Sequence, residues 1–153
     1  MIAYHKTTEE EKYIISEWKY SEEYAIYNHI SYEEQKKIGS GFANPQNNFY
    51  SFYEKEQLIG FINLREKDNS VFMGIGVNPD YCNKGYGQQI IPITCEISQK
   101  IFGKKPVELE VRTWNMRAIR CYEKAGFHIE GAAFRKITPI GDGLFYRMTM
   151  EES

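Results

Sequence analysis

Residues Val77 to Gln89 constrain this chain more than any other stretch. The apolar run Ser70 to Val77 predicts a strand, Asn78 to Gly85 a loop, and the pattern from Gly87 to about Phe102 a helix. Strand, glycine-bearing loop and helix start form a recurring anion grip. The first N–H groups of a helix have no partner within it, and the helix dipole adds partial positive charge there. Gly85 and Gly87 carry no Cβ, so an anion can approach the main chain, and Lys84 adds a mobile positive charge. Spacing excludes two familiar phosphate loops. Gln88 and Gln89 stand where a P-loop needs Lys and Ser or Thr, and Ile90 stands where the dinucleotide fingerprint needs a third glycine. A tight strand-to-helix turn without a ligand fits the same residues.

A second stretch, Trp114 to Phe127, lies about 30 residues downstream. Asn115 is a good N-cap for a helix from Met116 to Ala125, and Gly126 supplies its stop. Taken together, Val77-x-Pro79-x-Tyr81-x-x-Lys84-Gly85-x-Gly87 and Asn115-x-x-Ala118-x-x-x-Tyr122-x-x-x-Gly126-Phe127 resemble the two acetyl-CoA motifs of the GNAT family of N-acetyltransferases. The match covers roughly Ser70 to Phe127.

The resemblance implies a set of roles. Backbone N–H groups of Asn83, Lys84, Gly85, Tyr86, Gly87 and Gln88 would bind the cofactor's pyrophosphate, and the main chain of Ile75 and Val77 would pair with its pantetheine arm. Cys82 departs from the family, which carries Gln or Arg there. A side-chain donor is lost, while the main-chain N–H of Cys82 remains. Asn115 would add a hydrogen bond to the arm while capping its helix, and Ala118 belongs to the same group of contacts. Lys124 would reach the ribose phosphate, although a solvated surface lysine explains it equally well. Tyr122 matches the family's general acid. When an amine attacks a thioester the leaving thiolate needs a proton, and a phenol with an ordinary pKa near 10 is a competent donor.

The rest of the chain is consistent with one acetyltransferase domain over residues 1–153. Net charge is -2, which leaves no basic footprint for nucleic acid. Cys82, Cys95 and Cys121 form no CxxC and no metal-ligand cluster with His5, His29 or His128, so reduced thiols in a cytoplasmic protein are expected, with no metal. Neither a signal peptide nor a membrane span is readable. Capping boxes at Thr8/Glu11 and Ser31/Glu34 predict two early helices. Strands are expected at Ile2 to His5, Phe49 to Tyr53, Leu58 to Leu64, Ser70 to Val77, Pro106 to Thr113 (half-buried, since Val107, Leu109 and Val111 alternate with Glu108, Glu110 and Arg112), Phe127 to Ala132 and Leu144 to Met150. Ile90, Ile93, Ile97 and Ile101 mark the buried side of the long helix, which Pro92 should kink, and Gly141-Asp142-Gly143 falls in a long connection before the last strand. Gly74 and Gly76 signal a bulge or a close approach in their strand. The fold class is α/β (α+β): a GNAT-like sandwich with a central mixed, mostly antiparallel sheet of about seven strands and about four helices.

The expected function is transfer of acetyl from acetyl-CoA to a primary amine, by direct attack in a ternary complex. A small-molecule amine is the preferred acceptor, and a protein or peptide amine is the alternative. A non-catalytic acyl-CoA sensor is the rival of another class. Trp18, Tyr24 and Tyr27, with Tyr20 beside them, lie where the family builds its acceptor site, and aromatic faces hold cations well. Residues 1–38 carry eight Glu against five Lys, which also suits a cationic acceptor. Ordinary helix packing explains these aromatics equally well. Glu108 and Glu110 are candidates for the base, and neither is assigned. Exposed strand edges and the many aromatics leave room for a homodimer.

Overall fold

Thr8 opens the first helix as its spacing to Glu11 predicts. In the computed structural model, which describes residues 1–138 and 141–150, the Thr8 hydroxyl accepts the Glu11 N–H (3.2 Å) and the Glu11 carboxylate accepts the Thr8 N–H (2.9 Å). Two otherwise orphaned amides are satisfied, and α1 runs from Glu9 to Ser16. Glu11 does more than cap. It is only 5% exposed, accepts from the Ser51 hydroxyl (2.9 Å) and the Tyr53 hydroxyl, and lies 2.8 Å from His5 Nε2. Burial alone would raise its pKa, but hydrogen bonds from Tyr53, Thr8, Ser51 and His5 bring it down to about 2. In α2, Tyr32–Ile38, the Ser31 hydroxyl accepts the Glu34 N–H, and the Glu34 carboxylate returns to that hydroxyl. Gly39, at φ 68°, ends the helix.

The chain clusters into two units. The first comprises Met1–Arg65 with Gly74–Tyr86. In it β1 (Ile2–Lys6), β2 (Asn48–Glu54) and β3 (Gln57–Glu66) pair antiparallel in sequence order. Ile15, Trp18, Tyr32, Phe42 and Phe61 form its apolar cluster. The residues around Tyr24 and Tyr27 form a 3₁₀ segment, Glu22–Tyr27. Gly76, in the second half of β4 (Val71–Val77), makes a close approach as expected: a Cβ there would run into the Phe61 ring.

The second unit comprises Glu66–Met73 with Gly87–Ser153. The first half of β4 pairs parallel with β5 (Val107–Arg112), through Val71↔Val107 and Phe72↔Glu108. Helix α3 (Tyr86–Phe102) makes the crossover that a parallel pair requires. Helix α4 (Met116–Lys124) follows β5, and β6 (His128–Thr138) and β7 (Gly141–Met150) pair antiparallel, with β7 also antiparallel to β5. The strand order is β1-β2-β3-β4-β5-β7-β6. Among the described residues, a mixed, mostly antiparallel seven-stranded sheet with four α-helices matches the expected fold class. No helix among the described residues is long and apolar enough to cross a membrane.

Three expectations need correction. The buried side of α3 is Ile90, Ile91, Thr94, Ile97 and Ser98, while Ile101 is 43% exposed. The stripe is rotated because Thr94 and Ser98 enter it; the Thr94 hydroxyl is satisfied by the Ile90 carbonyl (2.9 Å). Strand β5 is not half-buried: Glu108 and Arg112 are 7% and 8% exposed, because pairing neutralises the one and an aromatic ring covers the other. Gly141, Asp142 and Gly143 are strand residues, paired with Thr138, Ile137 and Lys136, so β6 and β7 run well past the predicted ends. Gly143 suits its strand because a side chain there would collide with the Arg112 guanidinium.

Candidate active site

In the first unit, β4 ends at Val77, whose carbonyl accepts the Tyr20 hydroxyl (2.8 Å). Ile75 and Val77 are both half-buried. Asn78 starts the loop: its N–H and Nδ2 donate to the Ile59 and Leu58 carbonyls (2.8 and 3.0 Å), and its Oδ1 caps the turn Pro79–Tyr81. Cys82 turns back on the loop, with Sγ 3.8 and 3.7 Å from the Val77 and Asn78 carbonyls. Asn83 and Gly85 both adopt left-handed φ, 64° and 82°, on either side of Lys84. Alternating handedness of this kind turns successive N–H groups toward one concavity, a backbone nest that suits anions. A Cβ on Gly85 would meet nothing within 4 Å, so its main chain stands in the open. Lys84 Nζ lies 5.6 Å above the Tyr81 ring, and Tyr86 meets Tyr81 edge-on at 6.0 Å. These features fit the phosphates of a nucleotide cofactor, on main-chain donors and one exposed lysine.

In the second unit, the missing side chain of Gly87 has a packing use. A Cβ there would lie 2.9 Å from Cys121 Sγ, so the missing side chain lets α3 approach α4. Gln88 reinforces this contact, its Nε2 donating to the Cys121 carbonyl (2.6 Å). Asn115 is 6% exposed, and its Oδ1 accepts the Ala118 N–H (3.2 Å), so both residues serve the cap. Asn115, Ala118 and Tyr122 follow one another at three and four residues and form one stripe of α4. Tyr122 is half-buried, edge-on to Phe127 at 6.1 Å, and its carbonyl accepts the Ala125 and Phe127 N–H groups. Thus the start of α3 is pinned beside the residue that precedes Tyr122. Lys124 is exposed in the last turn.

The two carboxylates considered as bases are committed elsewhere. Burial would raise the pKa of Glu108, but Ser70 and Lys67, 2.6 and 3.0 Å away, pull it below the ordinary range, with Arg147 3.2 Å away. Glu110 accepts from Lys136 (2.6 Å). Of the predicted acceptor aromatics, Trp18 is 9% exposed and packs on Phe61 at 6.0 Å within the apolar cluster. Tyr24 and Tyr27 stack at 6.5 Å in the 3₁₀ segment, with Tyr27 exposed.

Two residues make contacts that no motif in the sequence announces. One is Tyr20, tied to Val77 from 57 positions away. The other is His29, whose ring lies 5.7 Å from Phe61 and 6.1 Å from Phe42. Burial, and then the charge of Lys19, hold the His29 pKa below 6.5.

The sequence model described as the acetyltransferase (GNAT) family matches residues 12–127. No curated protein sequence matches the chain. Among solved structures, a chimera of the spermidine N-acetyltransferase from Vibrio cholerae and hSSAT is similar at 19% identity and TM-score 0.78, over 98% of this chain and 94% of that one. The Vibrio cholerae spermidine N-acetyltransferase in complex with CoA and spermine is 18% identical, with TM-score 0.75, over 99% and 95%. The ribosomal-protein-S18-alanine N-acetyltransferase from Escherichia coli is 19% identical, with TM-score 0.71, over 100% and 95%.

Proposed function

Because the chain belongs to the acetyltransferase (GNAT) family, whose acyl donor is acetyl-CoA, we propose that it acetylates the primary amine of a small molecule, a polyamine or another compact amine. One observation carries the assignment of residues. The loop before α3 is an open backbone concavity with left-handed φ at Asn83 and Gly85, which supports an anion there, as the stripe Asn115, Ala118, Tyr122 on α4 supports the second motif's roles. Residues 1–153 act as one catalytic domain in this reading.

Main-chain N–H groups from Cys82 to Gln88 hold the pyrophosphate, helped by Lys84. The Cys82 thiol faces inward and takes no part. Main-chain groups of Ile75 and Val77 orient the pantetheine arm, with Asn115 and Ala118 beside it. Lys124 reaches the ribose phosphate. Acetyl-CoA supplies the acyl group as a thioester. The neutral amine forms the new C–N bond, the C–S bond breaks, and Tyr122 gives its proton to the departing sulfur and recovers one from the nitrogen. Holding amine and thioester together supplies much of the rate, since effective molarities for well-oriented groups reach about 10⁵ M or more.

A small cationic acceptor is supported by the acidic balance of residues 1–38, eight Glu against five Lys, and by the exposed Tyr27 stacked with the half-buried Tyr24. Trp18 lies within the apolar cluster of the same unit. Likeness to a spermidine N-acetyltransferase solved with spermine points the same way. The test is thiol release from acetyl-CoA across a panel of polyamines, aminoglycosides, simple alkylamines and peptides with free N-termini. Turnover of small amines well above that of peptides is expected. Turnover of peptides alone would replace the acceptor class, and binding of acetyl-CoA without turnover on any amine would point to a sensor.

A further inference from the structure

We propose that His29 is the base that takes the proton from the acceptor's ammonium group. The inference rests on the acyl-transfer reading above and adds the residue that reading lacks.

Two chains of contact lead from His29 to the last two residues of β4. The first runs through its neighbour: Asn28 Oδ1 accepts the Tyr20 N–H (2.7 Å), and the Tyr20 hydroxyl donates to the Val77 carbonyl (2.8 Å). The second runs through ring packing: His29 lies against Phe61, and Phe61 fills the space that Gly76 leaves. The imidazole is therefore fastened, by a short path within one unit, to the strand end assigned to the acyl-bearing arm. Neither of its ring nitrogens has a hydrogen-bond partner among the described residues, where its contacts are the rings of Phe42 and Phe61. His29 is half-buried rather than enclosed, so its ring nitrogens stay open to exchange a proton.

The surroundings favour the neutral imidazole, the form a base needs. Burial acts first, and the positive charge of Lys19 second. Phe42 and Phe61 bring no charge to the ring. By contrast, Glu108 and Glu110 are occupied by Lys67 and Arg147 and by Lys136. The step balances simply. The N–H bond of the ammonium breaks, its electron pair stays on nitrogen for attack on the thioester carbon, and the proton moves to an imidazole nitrogen and on to water. An alkylammonium, with a pKa near that of lysine at about 10, needs such a base near neutral pH. A nucleophile already neutral at that pH does not.

The experiment compares wild type with His29→Gln and His29→Asn on a primary alkylamine and on an alkoxyamine, which is uncharged at neutral pH. The expected result is a loss of kcat/KM of roughly 10²-fold on the alkylamine, with little loss on the alkoxyamine and unchanged Kd for acetyl-CoA. In wild type, kcat/KM for the alkylamine should rise with pH along a limb whose apparent pKa is below 6.5, and that limb should vanish in the variants. Should neither variant fold, the His29 ring pKa measured by NMR in wild type must equal the kinetic one. Equal losses on both nucleophiles, a retained limb, or disagreement between the two pKa values would overturn the role of His29 alone. Failure of wild type to acetylate either nucleophile would instead overturn the acyl-transfer reading, and the inference with it.

Discussion

Replacing Glu11 by Gln tests how far one buried carboxylate holds the first unit together. Its two oxygens meet Thr8 N–H, Ser51, Tyr53 and His5, drawn from α1's own cap, from β2 and from β1. The folded pKa is about 2 against an ordinary 4.5, a difference worth about 3 kcal/mol at 1.36 kcal/mol per unit. The sign follows from the direction. The folded pKa is depressed, so the stabilisation is complete above 4.5 and disappears as pH falls through the folded value of about 2. Glutamine keeps the shape but carries no charge, and presents its amide to groups that also donate. Urea unfolding of both proteins from about pH 7 to about pH 2.5 should show wild type ahead by about 3 kcal/mol at neutrality, with the gap closing below about pH 4. Glu9, Glu33 and Glu108 also have lowered pKa values, through partners that both proteins share, so their titration cancels in the difference. A gap that stays constant with pH, or that stays below about 1 kcal/mol at neutrality, would refute the argument.

Tyr122→Phe should lower kcat about 10²-fold while leaving the calorimetric Kd for acetyl-CoA unchanged; an unaltered kcat would remove Tyr122 from the chemistry. Gly76→Ala forces a Cβ into the Phe61 ring and should cost about 1–3 kcal/mol in denaturant unfolding. It should also disturb His29, visible as a shift of its ring resonances. Asn115→Ala removes the cap on α4, for about 1 kcal/mol of stability. A rise in the Kd for acetyl-CoA beyond what that loss explains would mark a second role at the cofactor arm.

The parts of this molecule that were legible in the sequence are those set by neighbours along the chain. Thr8 with Glu11, Ser31 with Glu34, and Asn115 with Ala118 are contacts at three residues, and their residue types announce them. The strand–loop–helix order around Gly85 is local in the same sense. What escaped was set by distant partners. The capping role of Glu11 is visible, but its bonds to Ser51 and Tyr53 reach across about 40 residues. Gly87 reads as a place for a ligand, and nothing near it in the sequence announces that it also packs on Cys121 of another helix. Gly141-Asp142-Gly143 has turn chemistry by composition, but pairing with β6 and the bulk of Arg112 make it strand. Trp18 and Tyr27 look alike as acceptor aromatics, and only packing separates the enclosed one from the exposed one.

Strand β6 closes the sheet without offering a template for its continuation. An edge of eleven residues, exposed along nearly all of its length, is the kind of ladder on which foreign strands assemble. Between Glu130 and Phe134, however, the register with β7 breaks, and Gly131 takes φ 77°. A visiting strand would therefore find two short ladders, one ending at Glu130 and one beginning at Phe134, each with charged residues among its first positions. The irregular stretch Gly131-Ala132-Ala133 is thus a colloidal safeguard, guarding the protein in concentrated solution as much as it shapes the strand.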